Sequence, residues 1–350
     1  LLLIDPGRSS LADRNLRDLG ALLAPGDLLV FNDAATVPAS LRATTQGGVS
    51  VELRLARERG GEFWAVVLGE GDWRARTEDR GPPPALSLGE TLTLAGAGSG
   101  AVLSARVVDL APLGTAYSRE HPLIALEFET AGAALWDALY QSGRPIQYSY
   151  LAGPLELWHV HNVFASRPWA FELASAAHGF TWELLLGLRR RGIRLASLTH
   201  AAGISSTGSA ELDRQLPFPE HYEIPKTTVL EVERARERRQ RVVAVGTTVV
   251  RALESAAADG GLRAGPGEAT LVIGPRRRAD GPDRPKLRVV DSVISGIHQA
   301  GESHYSLLGA FAPEPLLERA EAHARARGYR AHEFGDACLV LGNAKGDTPA

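Results

Sequence analysis

The chain has 350 residues, of which 44% are hydrophobic and 23% are charged, and its formal net charge is −3. This length allows two domains, and the composition is that of a water-soluble globular protein. The negative net charge argues against a protein that wraps nucleic acid non-specifically. Because its apolar runs are shorter than the roughly 18 residues of a membrane-spanning helix, we expect a cytoplasmic protein without a membrane segment. The single cysteine excludes internal disulfides and fits a reducing compartment.

The first part of the chain alternates between strand and helix signals. Leu1–Asp5 and Leu28–Phe31 are apolar runs typical of strands, and Leu11–Leu23 has the pattern of a short helix. Asn32 and Asp33 close the second of these strands. Their side chains could contact a ligand there, or Asp33 could simply cap the following turn.

The next part of the chain carries short strand signals without a helical pattern. The strands that we predict are Val49–Ala56, Phe63–Leu68, Leu92–Leu94, Val102–Leu110 and Ile124–Glu129. Such a series predicts a small antiparallel β-barrel or sandwich. Gly96–Ala101 is similar to a dinucleotide-binding loop, but that loop requires a helix after its strand. Since these glycines join two strand-like segments, we expect a hairpin loop.

Helical patterns return after Ala133 and alternate with strands. The predicted helices are Trp136–Gln141, Thr181–Arg191, Pro225–Arg239, Thr248–Ala258, Ser303–Phe311 and Glu314–Arg327. The predicted strands are Leu195–Thr199, Arg241–Val245, Ala269–Ile273 and Leu287–Val290. This alternation indicates the α/β class with a largely parallel sheet. We therefore predict one α/β domain made of residues 1–45 and 134–350, interrupted by an inserted antiparallel β-barrel domain of residues 46–133.

The most informative segment is a strand followed by a glycine turn and a helix. Arg241–Val245 is an apolar run typical of a buried strand, and Gly246 ends it. Thr247 and Thr248 then offer an N-cap hydroxyl to the next helix. The free amides of such a helix N-terminus bind anions or hydroxyl groups, so this turn predicts a ligand site.

Two charged residues, Arg251 and Glu254, lie three positions apart on the same predicted helix. They share a helix face close to the turn. They are therefore either part of a ligand pocket or a surface ion pair, and pairs of the second kind are common.

Several segments resemble the S-adenosylmethionine:tRNA ribosyltransferase-isomerase family of queuosine biosynthesis. Val245–Ser255 is similar to the family element VGTTSVRTLES and is the most specific match, and Pro25–Asp33 is similar to PGDLLVFND. Further similar segments are His221–Pro225, Val290–His298 and Phe334–Ala337. The family's plan, an α/β domain with an inserted β-barrel, agrees with the pattern described above.

The chain also departs from the family pattern. Ala35 and Ser40 stand in a segment where the family has two arginines, and Glu302 stands where it has a lysine. His178 is displaced from the position of a family histidine. These differences predict a divergent member or a paralogue, because they remove positive charge that would face a polyanionic partner.

The resemblance implies a reaction in which the ribosyl group of S-adenosylmethionine is transferred to 7-aminomethyl-7-deazaguanine in tRNA and isomerised. Epoxyqueuosine forms, and adenine and methionine leave. S-adenosylmethionine would be a co-substrate, with no bound cofactor and no metal. The expected partner is the anticodon region of a tRNA, and the expected oligomeric state is a monomer. Two alternatives are a paralogue that uses a different acceptor and a catalytically dead paralogue that binds RNA or another ligand.

This reaction needs a base, because the sulfonium acidifies the adjacent 5′ carbon and a proton must leave it. Histidine titrates near neutral pH and suits that task. His200 follows a predicted strand at the carboxyl end, where α/β sheets place their sites, so we predict that His200 is the base. His178 and His298 are the alternatives. Each of the three could instead be a hydrogen-bonded structural residue.

The remaining roles concern substrate binding. Arg251 would hold the donor carboxylate with a bidentate fork, and Thr247 and Thr248 would hold the ribose hydroxyls or the carboxylate. Tyr148 could stack on a base or pack between domains. The predicted catalytic residues are His200, Arg251 and Glu254. The predicted substrate-binding residues are Asn32, Asp33, Gln147, Tyr148, His178, Gly179, Gly246, Thr247, Thr248, His298, Ser303 and Asp336.

Overall fold

The computed structural model describes residues 1–94, 103–274, 276–278, 281–283, 286–331 and 334–343. Its strands are β1 (Leu2–Asp5), β2 (Ser10–Asp13), β3 (Leu28–Asn32), β4 (Ala34–Thr36), β5 (Ser40–Thr44), β6 (Ser50–Arg59), β7 (Glu62–Leu68), β8 (Thr91–Leu94), β9 (Leu103–Asp109), β10 (Leu123–Phe128), β11 (Arg167–Ala170), β12 (Arg194–His200), β13 (Glu220–Ile224), β14 (Val242–Val245), β15 (Gly265–Ala269), β16 (Arg276–Arg278), β17 (Gly281–Asp283), β18 (Ser292–Gly296) and β19 (Ala337–Val340). Its α-helices are α1 (Leu19–Leu22), α2 (Gly132–Ser142), α3 (Leu157–Val160), α4 (Trp182–Arg190), α5 (Ala210–Asp213), α6 (Lys226–Glu237), α7 (Thr247–Ala256), α8 (Ser303–Leu308) and α9 (Glu314–Ala326).

The largest sheet has nine strands in the order β15-β13-β12-β3-β14-β18-β19-β1-β2. The four central strands, β12, β3, β14 and β18, are parallel. On one side β13 and β15 continue the sheet in antiparallel pairs. On the other side β19 is antiparallel to β18, and β1 is parallel to β19. The predicted α/β class is confirmed, with parallel pairing at the centre of the sheet and antiparallel pairs on both flanks.

Helices cover both faces of this sheet because the central strands β3 and β14 carry buried apolar residues on both faces. Along β3, Leu28 and Val30 point to the face that is covered by α6, α7, α8 and α9. Leu29 and Phe31 point to the opposite face, which α1 and α4 cover. Successive side chains of a strand alternate between faces, so a run of four buried apolar residues requires a layer on each side.

Six strands form a closed barrel in the order β10-β7-β6-β5-β8-β9, in which all neighbours are antiparallel. Its core contains Leu41, Leu53, Phe63 and Leu126, which are buried. The predicted antiparallel β-barrel is therefore confirmed. Its strands run from Ser40 to Phe128, while the predicted division into 1–45, 46–133 and 134–350 stays a prediction. The predicted hairpin loop Gly96–Ala101 lies outside the described residues.

Three local predictions differ from the structure. The predicted helix Leu11–Leu23 begins as strand β2, because this segment pairs with β1, and only α1 is α-helical. The predicted strand Ala269–Ile273 is displaced, since β15 ends at Ala269 after pairing with β13. The predicted strand Leu287–Val290 is not a strand in the structure. The strand of this region is β18, which begins later in the chain and pairs with β14. In the described part of the chain, no helix has the length and apolar character to cross a membrane.

Candidate active site

A cavity of about 1120 Å³ lies where the carboxyl ends of the central strands meet the barrel. Gly246, which follows β14, and Ser295 near the end of β18 line it from the sheet. Thr77, between two barrel strands, and Tyr148 line it from the barrel side. Open α/β sheets bind ligands at the carboxyl ends of their parallel strands, so this cavity is the candidate active site.

The turn between β14 and α7 forms one wall of this cavity. Gly246 has φ +104°, a conformation that favours glycine, and its N–H donates to the Ile294 carbonyl at 2.8 Å. Thr247 and Thr248 then begin α7 and line the cavity. The first amides of a helix have no partner within the helix, so this turn presents donors and a positive dipole end to an anionic group.

A hydrogen-bonded row of three side chains, Ser295, His298 and Glu302, lines the same cavity. Ser295 Oγ lies 3.0 Å from His298 Nε2, and His298 Nδ1 lies 3.2 Å from Glu302 Oε2. Burial alone would raise the pKa of Glu302, but the hydrogen bond and charge of His298 lower it overall. His304 stacks on His298 with 4.8 Å between ring centroids, and burial lowers the pKa of His304 to about 3.

A second polar cluster in the cavity contains Tyr148, Glu172 and Ser205. The Tyr148 hydroxyl donates a short hydrogen bond to Glu172 and lies 3.2 Å from Ser205 Oγ. The guanidinium of Arg54 lies 5.1 Å from the centroid of the Tyr148 ring. Burial raises the pKa of Glu172, and burial together with Glu172 raises the pKa of Tyr148.

Arg251 lines the cavity, but its donors are engaged within the protein. Nη1 is paired with Glu220, and Nη2 donates to the carbonyls of Phe218 at 3.2 Å and Ala269 at 2.8 Å. Burial lowers the pKa of Arg251 to about 10. These contacts hold α7 against β13 and β15, so the Arg251 fork is directed at protein groups.

His200 ends β12 as predicted, but its side chain is 0% exposed. Nε2 lies 3.4 Å from Glu220 Oε2, yet within the described residues neither ring nitrogen makes a hydrogen bond. Burial, followed by the nearby Arg251, holds the pKa of His200 well below its ordinary value. Asn32 fixes this position, because its side chain bonds the backbone N–H and carbonyl of His200 at 2.9 Å each.

Three further predicted residues hold backbone or neighbouring strands. Glu254 is buried and accepts the backbone N–H groups of residues 288–290 at 2.6–2.9 Å. Asp33 accepts the hydroxyls of Ser197 and Thr199 on β12. Gln147 accepts the Leu155 N–H at 2.8 Å and donates to the Gly153 carbonyl.

A separate cavity of about 560 Å³ contains His178, Gly179 and Asp336. Burial lowers the pKa of His178, whose ring lies edge-on to Phe334 at 5.1 Å between centroids. Asp336 accepts the backbone N–H of Arg330 at 2.9 Å. The structure therefore assigns these three predicted residues to a different cavity from that of the α7 turn.

The main cavity brings together part of the predicted site. Its predicted members are Tyr148, Gly246, Thr247, Thr248, Arg251, His298 and Ser303. The sequence reasoning missed Ser295 and Glu172, and it noted Glu302 only as a difference in charge. The spacing of Ser295, His298 and Glu302 was a usable local signal, whereas Glu172 approaches Tyr148 only through the fold. Among the described residues there is no group of three or more His, Cys, Asp or Glu that could hold a metal ion.

The fold and cavity define an α/β protein with an inserted barrel and a ligand site at the carboxyl edge of its sheet. A protein-family model described as "Queuosine biosynthesis protein" matches residues 1–340. The chain therefore belongs to this family, as the sequence resemblance predicted.

Individual relatives match along nearly their whole length. The S-adenosylmethionine:tRNA ribosyltransferase-isomerase of Methylocella silvestris is 32% identical over 355 residues, covering 97% of this chain and 90% of that protein. The Thermus thermophilus protein of the same name is 33% identical over 340 residues, covering 96% and 90%. A crystal structure of an S-adenosylmethionine tRNA ribosyltransferase from Thermotoga maritima is 25% identical, with a TM-score of 0.49, and covers 97% of this chain and 91% of that one.

Proposed function

We propose that this protein is an S-adenosylmethionine-dependent tRNA ribosyltransferase-isomerase. It transfers and isomerises the ribosyl group of the donor onto 7-aminomethyl-7-deazaguanine in tRNA and releases adenine and methionine. The observation that carries this proposal is the meeting of the α7 turn and the Ser295–His298–Glu302 row in one cavity. The chain is also about one-third identical, over almost its whole length, to proteins that bear this name.

The α7 turn is the proposed site of the donor carboxylate. The first amides of α7 and the hydroxyls of Thr247 and Thr248 supply donors at the positive end of a ten-residue helix. Arg251 contributes positive charge behind this turn, since its own hydrogen-bond donors are engaged by Glu220 and two carbonyls. This assignment replaces the predicted bidentate arginine clamp with an amide and hydroxyl site.

His298 is the proposed base that takes the proton from the 5′ carbon. In the tautomer that donates from Nδ1 to Glu302, the Nε2 lone pair lies on the side of Ser295, where it can accept a proton. The Glu302 carboxylate then stabilises the imidazolium that forms. His200 is less suited, because it is fully buried and its pKa is well lowered by burial and by Arg251.

The proposed partners follow from this reaction. S-adenosylmethionine is a co-substrate, and the acceptor is a nucleotide in the anticodon region of a tRNA that enters between the barrel and the sheet. Tyr148, whose ring is stacked with Tyr150 at 6.2 Å between centroids, offers an aromatic surface to that nucleotide. We propose that a cytoplasmic monomer carries out this reaction.

The first experiment follows adenine release from S-adenosylmethionine, with and without tRNA that carries the aminomethyl deazaguanine. We expect release that requires this tRNA, and we expect His298→Asn to slow it at least 100-fold because the base is lost. His323→Asn is the matched control, since His323 lies on α9 and contacts Asp13. Unimpaired release by His298→Asn would contradict the assignment of the base.

A second candidate function keeps the donor and changes the acceptor. Glu302, whose pKa is lowered, gives the cavity a carboxylate that suits a cationic acceptor better than a phosphate. Ala35 and Ser40 bear less on this question, because Ala35 is buried and Ser40 Oγ donates to Glu52 inside the barrel. Donor binding without tRNA-dependent adenine release would favour this candidate, and a protein that binds no donor would be the catalytically dead paralogue.

A further inference from the structure

Two carboxyl groups line the main cavity in opposite environments. The Glu302 side chain is 39% exposed, and its Oε2 lies 3.2 Å from His298 Nδ1, within hydrogen-bond distance. Glu172 lies after β11, beneath the Tyr148 hydroxyl, which donates to its Oε1. Ser205 Oγ completes the second cluster, 3.2 Å from that hydroxyl. One carboxyl is therefore adjacent to a basic ring and partly in water, whereas the other is covered by a phenol.

The pKa values of these two groups are shifted in opposite directions. Burial raises the pKa of Glu172, and the hydrogen bonds from Tyr148 and Ser205 and the charge of Arg54 offset only part of that effect. Arg54 lies on β6, and its Nε donates to Glu52 at 2.8 Å, so part of its charge is already neutralised. The pKa of Glu302 is lowered overall by His298. Groups of one site whose pKa values are shifted apart are candidates for acid and base roles, and because Glu302 pairs with His298, the proposed base, Glu172 is the candidate acid.

We propose that Glu172 is the general acid that gives a proton to adenine as it leaves the donor. This inference rests on the proposed function and adds a second proton-transfer group to it. Adenine is a poor leaving group as an anion, so protonation of one of its ring nitrogens lowers the barrier to departure. Tyr148 fixes the Glu172 carboxyl at the cavity wall through its hydroxyl group.

The proton and electron balance of the reaction closes with these two groups. His298 takes the proton from the 5′ carbon, and the electron pair of that C–H bond stays on the carbon next to the sulfonium. That pair forms a double bond to the 4′ carbon as the ring oxygen leaves it, and this oxygen forms a carbonyl at the anomeric carbon as the bond between that carbon and adenine breaks. The electron pair of that bond leaves with adenine, which receives the Glu172 proton.

The acceptor resets the acid. When the neutral aminomethyl nitrogen bonds to the sugar carbon, it loses one proton, and the Glu172 carboxylate takes that proton. This addition returns an electron pair to the 5′ carbon, which bonds to the carbonyl carbon and closes the ring. The resulting oxygen anion then bonds to the 5′ carbon, and sulfur leaves as neutral methionine with the electron pair of its bond to that carbon. His298 delivers the proton from the 5′ carbon to solvent, so one proton is released overall. Its positive charge balances the charge that the sulfonium loses when methionine leaves.

The test measures single-turnover adenine release against pH for the wild type and for Glu172→Gln, with S-adenosylmethionine and the modified tRNA. We expect Glu172→Gln to be at least 100-fold slower, and we expect it to lose the alkaline decline in rate that reports deprotonation of the acid. Glu172→Asp keeps an acid and should recover part of the rate. Glu127→Gln, on the barrel surface and paired with Arg106, is the matched control and should stay within about twofold of the wild type.

A donor analogue separates acid catalysis from a structural role. With 2-chloroadenine in place of adenine, the leaving base is less basic and needs less protonation, so the rate deficit of Glu172→Gln should shrink at least tenfold. Equal deficits with both donors, or an unchanged alkaline decline, would overturn the assignment of Glu172. A wild type that releases no adenine would overturn the proposed function and this assignment together, whereas an active wild type with an unimpaired Glu172→Gln would overturn the assignment alone.

Discussion

Burial distinguishes His200, which the sequence predicted as the base, from His298, one of its two alternatives. His200 ends β12, which the strand Leu195–Thr199 predicted, whereas His298 follows β18, which the predicted strand Leu287–Val290 missed. The environment of each ring depends on side chains from distant segments, such as Glu220 and Arg251 around His200. Single-sequence patterns carry no information about those contacts. The position of a candidate base was therefore predictable, but its protonation behaviour was not.

Glu254 shows the same limit for a carboxylate on a helix. The sequence placed it three positions from Arg251, where an ion pair or a ligand contact was expected. In the structure its two oxygens accept three backbone N–H groups from residues 288–290. A buried carboxylate with such partners anchors a loop, and that loop lies more than thirty residues away in the sequence.

Replacement of Glu254 by Gln should reduce stability. Because the amide of Gln offers one acceptor oxygen in place of two, at least one buried N–H group loses its partner, and we expect the free energy of unfolding to fall by about 1–3 kcal/mol. Urea denaturation followed by circular dichroism measures this change. Glu318→Gln, at an exposed position of α9, is the control. A stable Glu254→Gln protein that fails to release adenine would instead support the predicted catalytic role.

At the scale of elements, β14 and α7 were the best-predicted pair. An uninterrupted apolar run, a glycine and two threonines each specify the same strand–turn–helix locally. The displaced strands β15 and β18 lack this agreement, because their limits depend on register with β13 and β14. β2 depends on its pairing with β1, which overrides the helical pattern of its residues. Elements whose local sequence signals agree were predictable, whereas strands whose limits depend on pairing with neighbouring strands were not.

Gly246→Ala should distort the α7 turn. At φ +104° an alanine is strained, and its Cβ would lie 3.3 Å from Thr248 Oγ1. We expect a loss of about 1–3 kcal/mol in the free energy of unfolding and weaker binding of S-adenosylmethionine. Calorimetric titration of the donor, together with urea denaturation, measures both effects.

Gly187→Ala is the matched control for that substitution. Gly187 lies within α4, and a Cβ there meets no atom within 4 Å among the described residues. Alanine at this helix position should be neutral or stabilise by up to about 1 kcal/mol, with donor affinity unchanged. If Gly246→Ala bound the donor as tightly as this control, the α7 turn would not be the carboxylate site.

At the scale of the whole molecule, a buried ionic network connects the barrel with the segment that follows it. Arg54 on β6 pairs with Glu52 and donates to the carbonyl of Gln147 at 3.2 Å. Arg80 also pairs with Glu52. Because Tyr148 lies next to Gln147 and under the Arg54 guanidinium, this network positions one wall of the main cavity.

Because of this network, the free energy of unfolding should depend on pH in the acidic range. Burial alone would raise the pKa of Glu52, but Arg54 and Arg80 lower it below the ordinary value of 4.5. A lowered pKa contributes stability that is present above about pH 4.5 and is lost as the pH falls through the folded value. As the pH is lowered below this value, we expect the urea concentration at the midpoint of unfolding to decrease. Tryptophan fluorescence, to which Trp64 in β7 contributes, reports this midpoint.

Glu52→Gln tests the origin of that dependence. This variant should be less stable at pH 7, by about 3–5 kcal/mol, because it leaves two buried arginines without their carboxylate. Its midpoint should then change less than that of the wild type between pH 5 and pH 3.5. An equally steep fall in both proteins would assign the acid sensitivity to other carboxylates.

During translation, all strands of the barrel are synthesised long before all strands of the sheet. All six barrel strands lie between Ser40 and Phe128, so their pairing needs no later residue. The sheet, in contrast, receives β19 between β18 and β1 only after its other eight described strands have been synthesised. Until then the hairpin of β1 and β2 has no strand that joins it to the centre, and two open strand edges are available for wrong pairing. A nascent chain arrested just before Ala337 would therefore leave the hairpin of β1 and β2 unattached as well as lack β19.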